Sequence, residues 1–242
     1  RLRCSTRGTA VGCLAYECPH VEPEVGRPCC QTARFSLWVG YDERGIVAGL
    51  LDRCDIYDPV KRCWEDAAPM TMARFGHGCA TIRGLVYAVG GGSLQQGAPQ
   101  VQDFLETLKS CEVFHPSENV WKAGAPLQVA RSGARVVAIG DTHLVAVGGC
   151  DVHELSTVEL FGVAVGQWSV LQSRLSQPRS VAAVAAMDGG RVLVFGGFPR
   201  LALATEALAT EVYHVPSSVL SATRGRSIDL RRKMVRSRRI CW

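Results

Sequence analysis

Apolar residues in this chain come in short runs rather than long amphipathic stretches. LVYAVGG (85–91), LVAVGG (144–149) and VLVFGG (192–197) are each closed by paired glycines. Each is preceded by a polar turn, at Arg83-Gly84, Gly140-Asp141 and Asp188-Gly189-Gly190, and before that by another run of small apolar residues. Two β-prone runs around a Gly-containing turn predict a hairpin. A second pair of short runs follows, an acidic-x-aromatic triplet and then a Trp, joined by turn-formers such as Asp58-Pro59 and Pro116-Ser117. Helical periodicity is weak throughout, apart from a turn around Leu201–Ala209.

The landmarks recur in register. Tyr57 and Trp64, Phe114 and Trp121, and Phe161 and Trp168 are each seven residues apart. From Trp64, Trp121 and Trp168 to Gly90, Gly148 and Gly196 the steps are 26, 27 and 28. Arg74, Arg131 and Arg179 precede the same glycines by 16, 17 and 17. Length varies instead after the doublets Gly90-Gly91, Gly148-Gly149 and Gly196-Gly197, in loops such as 93–107. Four short antiparallel strands per unit, repeated about every 50 residues, are the signature of a propeller blade. The expected fold is all-β: about three full blades and two partial ones, an incomplete ring. The partial copies are Ser36–Asp42 before the repeats and Glu211-Val-Tyr213 after them. Open blade edges predict self-association.

These landmarks resemble the kelch repeat, in which a Gly-Gly doublet ends one strand and a Glu-x-Tyr/Phe strand and a Trp follow. APMTMARFGHGCATIRGLVYAVGG (68–91) is especially similar to units of the kelch-like ubiquitin-ligase adaptors. The resemblance covers roughly 36–215. It implies a protein-interaction module, the substrate-recognition part of a cullin-type adaptor, with an actin-binding or cytoskeletal role as the alternative and a kelch-fold oxidase or sugar isomerase behind it. It also implies that Arg74, Arg131 and Arg179 reach the propeller mouth and bind an acidic segment of a protein partner, since the guanidinium fork matches a carboxylate. The residues alone allow another role for these arginines, a charge that ties a loop. The doublet glycines, Tyr57, Phe114, Phe161 and the three Trp residues are expected to be structural, the aromatics as plates between blades.

Composition divides the chain into a Cys-rich, degenerate or disordered segment (1–34), the repeats (35–215) and a basic tail (216–242). The 27 Lys and Arg against 22 Asp and Glu give a net charge of +5. The Arg-rich stretch 224–239 supplies all of that excess, so the body is slightly acidic and nucleic acid is not the expected partner. No apolar run is long enough to span a bilayer as a helix. The first residue is not Met, which reads as an internal fragment or a partial gene model. Eleven cysteines, an odd number, exclude complete pairing within one chain. They read as reduced thiols of a cytoplasmic protein. Cys13, Cys18 and His20 come nearest to a metal cluster but lack zinc-site spacing, so no metal or cofactor is expected.

Enzyme signatures are absent: there is no G-x-S-x-G, H-E-x-x-H or P-loop. His77 is a repeat position and reads as structural. His20, His115, His143, His153 and His214 have no spacing to carboxylates that would build a triad. No enzymatic activity and no small-molecule substrate are expected.

Overall fold

The computed structural model describes residues 52–58, 61–94, 105–198 and 210–222, together with the backbone path of 10–15 and 34–40. Seventeen strands and one short helix fill them. The first blade is β1 (Ala10–Ala15), β2 (Arg34–Gly40), β3 (Cys54–Asp58) and β4 (Cys63–Ala67), paired in that order. The second is β5 (Gly78–Ile82), β6 (Leu85–Val89), β9 (Cys111–His115) and β10 (Val120–Gly124). A two-stranded ribbon of β7 (Gly92–Leu94) and β8 (Leu105–Thr107) is inserted after the glycines. The third is β11 (Arg135–Ile139), β12 (His143–Val147), β13 (Thr157–Gly162) and β14 (Gln167–Arg174). The fourth has three strands, β15 (Ala183–Met187), β16 (Arg191–Phe195) and β17 (Glu211–His214), followed by α1 (Ser217–Ala222).

Among the described residues the protein is thus an all-β array of blade-type antiparallel sheets whose ring is not closed. The partial copy at Ser36 is β2, which joins the triplet of β3 and the Trp strand of β4 in one blade. β1 lies inside the 1–34 segment and α1 inside the 216–242 segment. Leu201–Ala209 and the Arg-rich 224–239 lie outside the described residues.

Turn chemistry explains the hairpins. Arg83 and Gly84 both have positive φ (52° and 73°), as do Gly189 and Gly190 (73° and 74°). That is the backbone the tight two-residue hairpin at Arg83-Gly84 requires, while Asp188-Gly189-Gly190 closes its hairpin as a three-residue loop. A second recurring left-handed position lies two residues before each Trp, at Arg62, Asn119 and Gly166.

Blades stack through unlike faces. Each aromatic of the triplet sits opposite its Trp across an antiparallel pair, Tyr57 with Trp64, Phe114 with Trp121 and Phe161 with Trp168. The ring centroids are 5.2, 5.2 and 5.3 Å apart, tilted. This plate faces the preceding blade. Phe114 and Trp121 pack with Cys54 and Met70, and Phe161 and Trp168 with Tyr87, Val89 and Val113. The opposite, aliphatic face receives the next blade, as Val145, Val147 and Leu160 receive Val192, Val194 and Tyr213. Burying one such side chain contributes about 1.5–3 kcal/mol, so these interfaces dominate the stability of the array.

The doublet glycines lie where blades come closest. All three doublets share one conformation, with φ of 63° and 99°, 60° and 97°, and 66° and 96°. A Cβ on Gly90 would stand 2.5 Å from the carbonyl oxygen of Arg131, and one on Gly148 2.3 Å from that of Arg179. Only glycine tolerates both the dihedrals and the approach.

Nearer the start of the inner strands the backbone links blade to blade. Gly133 N–H donates to Gly76 C=O at 2.7 Å, and Val181 N–H donates to Gly133 C=O at 2.8 Å. Gly76, Gly133 and Val181 occupy equivalent positions, with φ of 57°, 65° and 55°. A β-branched residue in the left-handed region is strained by roughly 1–3 kcal/mol. Val181→Gly is therefore expected to raise stability by about 1 kcal/mol after the entropy cost of glycine is subtracted, whereas Gly133→Val lowers it. Urea unfolding followed by tryptophan fluorescence checks both.

Candidate protein-binding rim

The three recurring arginines enter just before the inner strand of their blades and turn inward. Arg74 Nη1 donates to the carbonyls of Gly90 (2.8 Å) and Ser110 (3.0 Å), and Nη2 to Glu112 Oε1 (2.7 Å). Arg131 repeats this with Gly148 (2.7 Å), Thr157 (3.1 Å) and Glu159 (2.7 Å). Arg179 reaches Gly196 at 3.2 Å and Glu211 at 2.9 Å. All three arginines are at most 1% exposed.

The carboxylates have a second task. Glu112 accepts from the N–H groups of Thr71 (2.7 Å) and Met72 (3.2 Å) and from the Thr71 hydroxyl (2.7 Å). Glu159 accepts from the N–H groups of Gln128 (2.8 Å) and Val129 (3.0 Å). Glu211 accepts from Ser176 N–H at 2.9 Å. These donors lie on the segments that cross from one blade to the next. One acidic residue thus neutralises the arginine and satisfies a crossover backbone that leaves the sheets, as buried polar groups require. Burial pulls the Arg131 guanidinium down from its usual range, while Glu159 opposes that shift.

This geometry corrects the expectation that Arg74, Arg131 and Arg179 bind a partner's carboxylate. Their terminal Nη donors are engaged inside the blade, and the side chains are at most 1% exposed. The arginines are loop ties.

His77 is equally internal. Fully buried, it occupies the seat held by Ala134 and Ala182 in the next blades. Desolvation, then the nearby Arg74 charge, lowers its pKa to about 3. The thiols of Cys54 and Cys111 are pushed up to about 12 and about 11 by burial, which keeps them protonated and unreactive. Among the described residues no group of three or more His, Cys, Asp or Glu is placed to hold a metal. The side chains of Cys13, Cys18 and His20 lie outside the described residues.

At this end the residue after each arginine meets the residue after each doublet, the latter buried at Gly92, half-buried at Cys150 and exposed at Phe198. They are joined by single bridges, Phe75 to Gly92, Ser132 to Cys150 and Ser180 to Phe198. Phe75, Ser132 and Ser180 are half-buried. Phe198 is 67% exposed and Val152, in the loop beyond Cys150, is 71% exposed. Met72, on the first crossover, is also exposed. Large apolar groups beside hydroxyls on loops, held by a rigid scaffold, make a surface suited to a polypeptide. Sequence reasoning passed over these residues; the signal available was their fixed place one step beyond each arginine or doublet.

The comparisons agree with this architecture. Residues 73–128 match the Kelch motif family. Kelch-like protein 25 of Xenopus tropicalis is 32% identical over 156 residues, which is 64% of this chain and 26% of that protein. The human Kelch-like protein 25 is 36% identical over 110 residues, 46% of this chain and 18% of that protein. Kelch-like protein 38 of Mus musculus is 27% identical over 145 residues, 58% and 22% of the two chains. The matched stretch therefore spans about a quarter or less of these relatives. The chain is an all-β array of repeated antiparallel blades that carries a Kelch motif. Within that class it is similar to the Kelch-like proteins.

Removing one partner of a buried pair costs about 3–5 kcal/mol, because the other charge is stranded. Arg131→Ala and Glu159→Ala are each expected to lose that much in urea unfolding, and the double variant much less than their sum. Arg179→Ala is expected to cost less, since the Glu211 side chain is 19% exposed.

His77 supplies a pH dependence. The unfolded chain takes up a proton near pH 6.5 and the folded chain only near about 3. Unfolding therefore binds protons in this window, and stability falls as pH drops through it. His77→Ala, which restores the residue of the neighbouring blades, should flatten that acid limb in unfolding measured at several pH values.

Proposed function

We propose that this chain is a protein-recognition module, the substrate-binding part of a cullin-type ubiquitin-ligase adaptor acting in the cytoplasm, and that it grips its partner by the loop rim. The supporting observation is the exposed set Phe198, Val152 and Met72 beside Ser132 and Ser180, on the face where crossovers and post-doublet loops meet. Similarity to the Kelch-like proteins supports the adaptor reading. With the arginines consumed internally, the rim offers apolar and hydroxyl groups with Asp151 and His153 exposed beside Val152, so a partner is held by shape and polar contacts rather than by arginine–carboxylate pairs. Among the described residues no helix is long and apolar enough to cross a membrane.

Affinity capture from cell extract with the chain carrying Val152→Arg and Phe198→Ala tests the reading. Both positions are exposed, so the fold and its unfolding midpoint should be retained. The expected outcome is loss of specific partners from the double variant, and a cullin among the proteins retained by the unaltered chain. Identical captured proteins from both, or no cullin from the unaltered chain, would contradict it.

A further inference from the structure

Each crossover presents the same seat to solvent, three residues before its arginine. Thr71, Gln128 and Ser176 fill it, and all three are exposed, so the exposure belongs to the crossovers and not to any one blade. The N–H of each donates to the carboxylate that its arginine pairs with, at 2.7, 2.8 and 2.9 Å. The side chains differ in what they leave open. The Thr71 hydroxyl donates to Glu112 (2.7 Å), and the Gln128 amide donates to the carbonyl of Trp168 (3.1 Å). Among the described residues Ser176 meets Glu211 through its N–H alone.

The chain around Ser176 is suited to entering another protein's cleft. Gln172, Ser173, Arg174, Gln177 and Pro178 are exposed with it. Leu175 and Arg179 are 4% and 1% exposed and pin the segment on either side. Leu175 N–H donates to Ser156 C=O at 2.8 Å, and Arg179 N–H to Leu155 C=O at 3.2 Å. Between these anchors the residues belong to no strand, so the segment can open locally without parting a sheet. Arg174, two places before the hydroxyl, adds a positive charge, and kinases select substrates by charge pattern. The other two crossovers have Pro69 and Pro126 in the place of Arg174.

We propose that Ser176 is a phosphorylation site whose modification opens the Arg179–Glu211 tie. The γ-phosphoryl group of ATP passes to Ser176 Oγ. The new P–O bond forms as the bond to the bridging oxygen of ADP breaks, and the hydroxyl proton goes to the kinase's base. The phosphate brings roughly −1.5 to −2 charges at pH 7 onto the residue whose own N–H holds Glu211 Oε2 at 2.9 Å. Arg179, 2.9 Å from Glu211 Oε1, is then shared between two anions. Their repulsion drives Glu211 off the Ser176 N–H and frees the crossover. Ser180, which follows Arg179 and bridges to Phe198, loses its fixed position with it. The modification needs only the crossover and its tie, so it stands or falls apart from the recognition reading above.

Mass spectrometry of the full chain, purified from animal cells treated with a phosphatase inhibitor, tests the site, with peptide fragmentation assigning the phosphate to its residue. Phosphate is expected on Ser176, absent from Ser176→Ala and several-fold lower in Arg174→Gln. Both positions are exposed, so each variant should keep the unfolding midpoint of the unaltered chain. Amide hydrogen exchange on the phosphorylated and the phosphatase-treated chain tests the tie. The Ser176 amide should exchange several-fold faster in the phosphorylated form, and the Gln128 amide at the same rate in both. No phosphate on Ser176, phosphate undiminished by Arg174→Gln, or a Ser176 amide equally protected in both forms would overturn the proposal.

Discussion

The structure depends on what happens where the chain leaves one blade for the next. A crossover gives up its sheet hydrogen bonds as it passes between blades, and although Thr71, Met72, Gln128 and Ser176 reach the surface, their N–H groups donate inward to carboxylates. Glu112, Glu159 and Glu211 provide them, and a buried arginine beside each makes the carboxylate tolerable away from solvent. The same arginine binds the carbonyl of the first doublet glycine, so one side chain fixes the crossover, the inner strand and the third strand together. With those fixed, the aromatic plate of each blade meets the aliphatic face of the blade before it.

Periodicity made the blades readable because it survives in residue types that have few substitutes. Glycine is needed at Gly90 and Gly148 by dihedral and by approach, and the Trp and Phe plates are needed to fill an interface. The arginines were equally visible, but their direction was not. An arginine at the start of a strand suits a rim or a core equally well. The acidic partner that decides between them lies 38 residues on from Arg74 and 28 on from Arg131, because the loop after the doublet varies in length. No fixed spacing therefore joins Arg to Glu in the sequence, although the triplet's acidic residue was in view. His77 was legible as structural from its repeat position, and its burial follows from occupying an alanine seat.

With the arginines in the interior, the proposed recognition rests on less regular residues. Phe75 gives way to Ser132 and Ser180, and Gly92 to Cys150 and Phe198, while the arginines beside them do not change. A scaffold that spends its charged groups on its own crossovers leaves the outward positions free to vary without loss of fold. The strained Val181 belongs to this end as well, one residue from Ser180 and hydrogen-bonded to Gly133. Such strain persists where the surrounding structure over-determines the backbone, and here the blade-to-blade bonds do so.

Native-state amide hydrogen exchange tests the crossover lock most directly. If buried carboxylates hold these segments, the amides of Gln128 and Val129 exchange as slowly as those of the central strand β12, despite lying outside any sheet. Ser176, whose acceptor Glu211 is partly exposed, exchanges sooner. Gln128 and Val129 amides exchanging as fast as that of Gly84, in an exposed hairpin turn, would contradict the account.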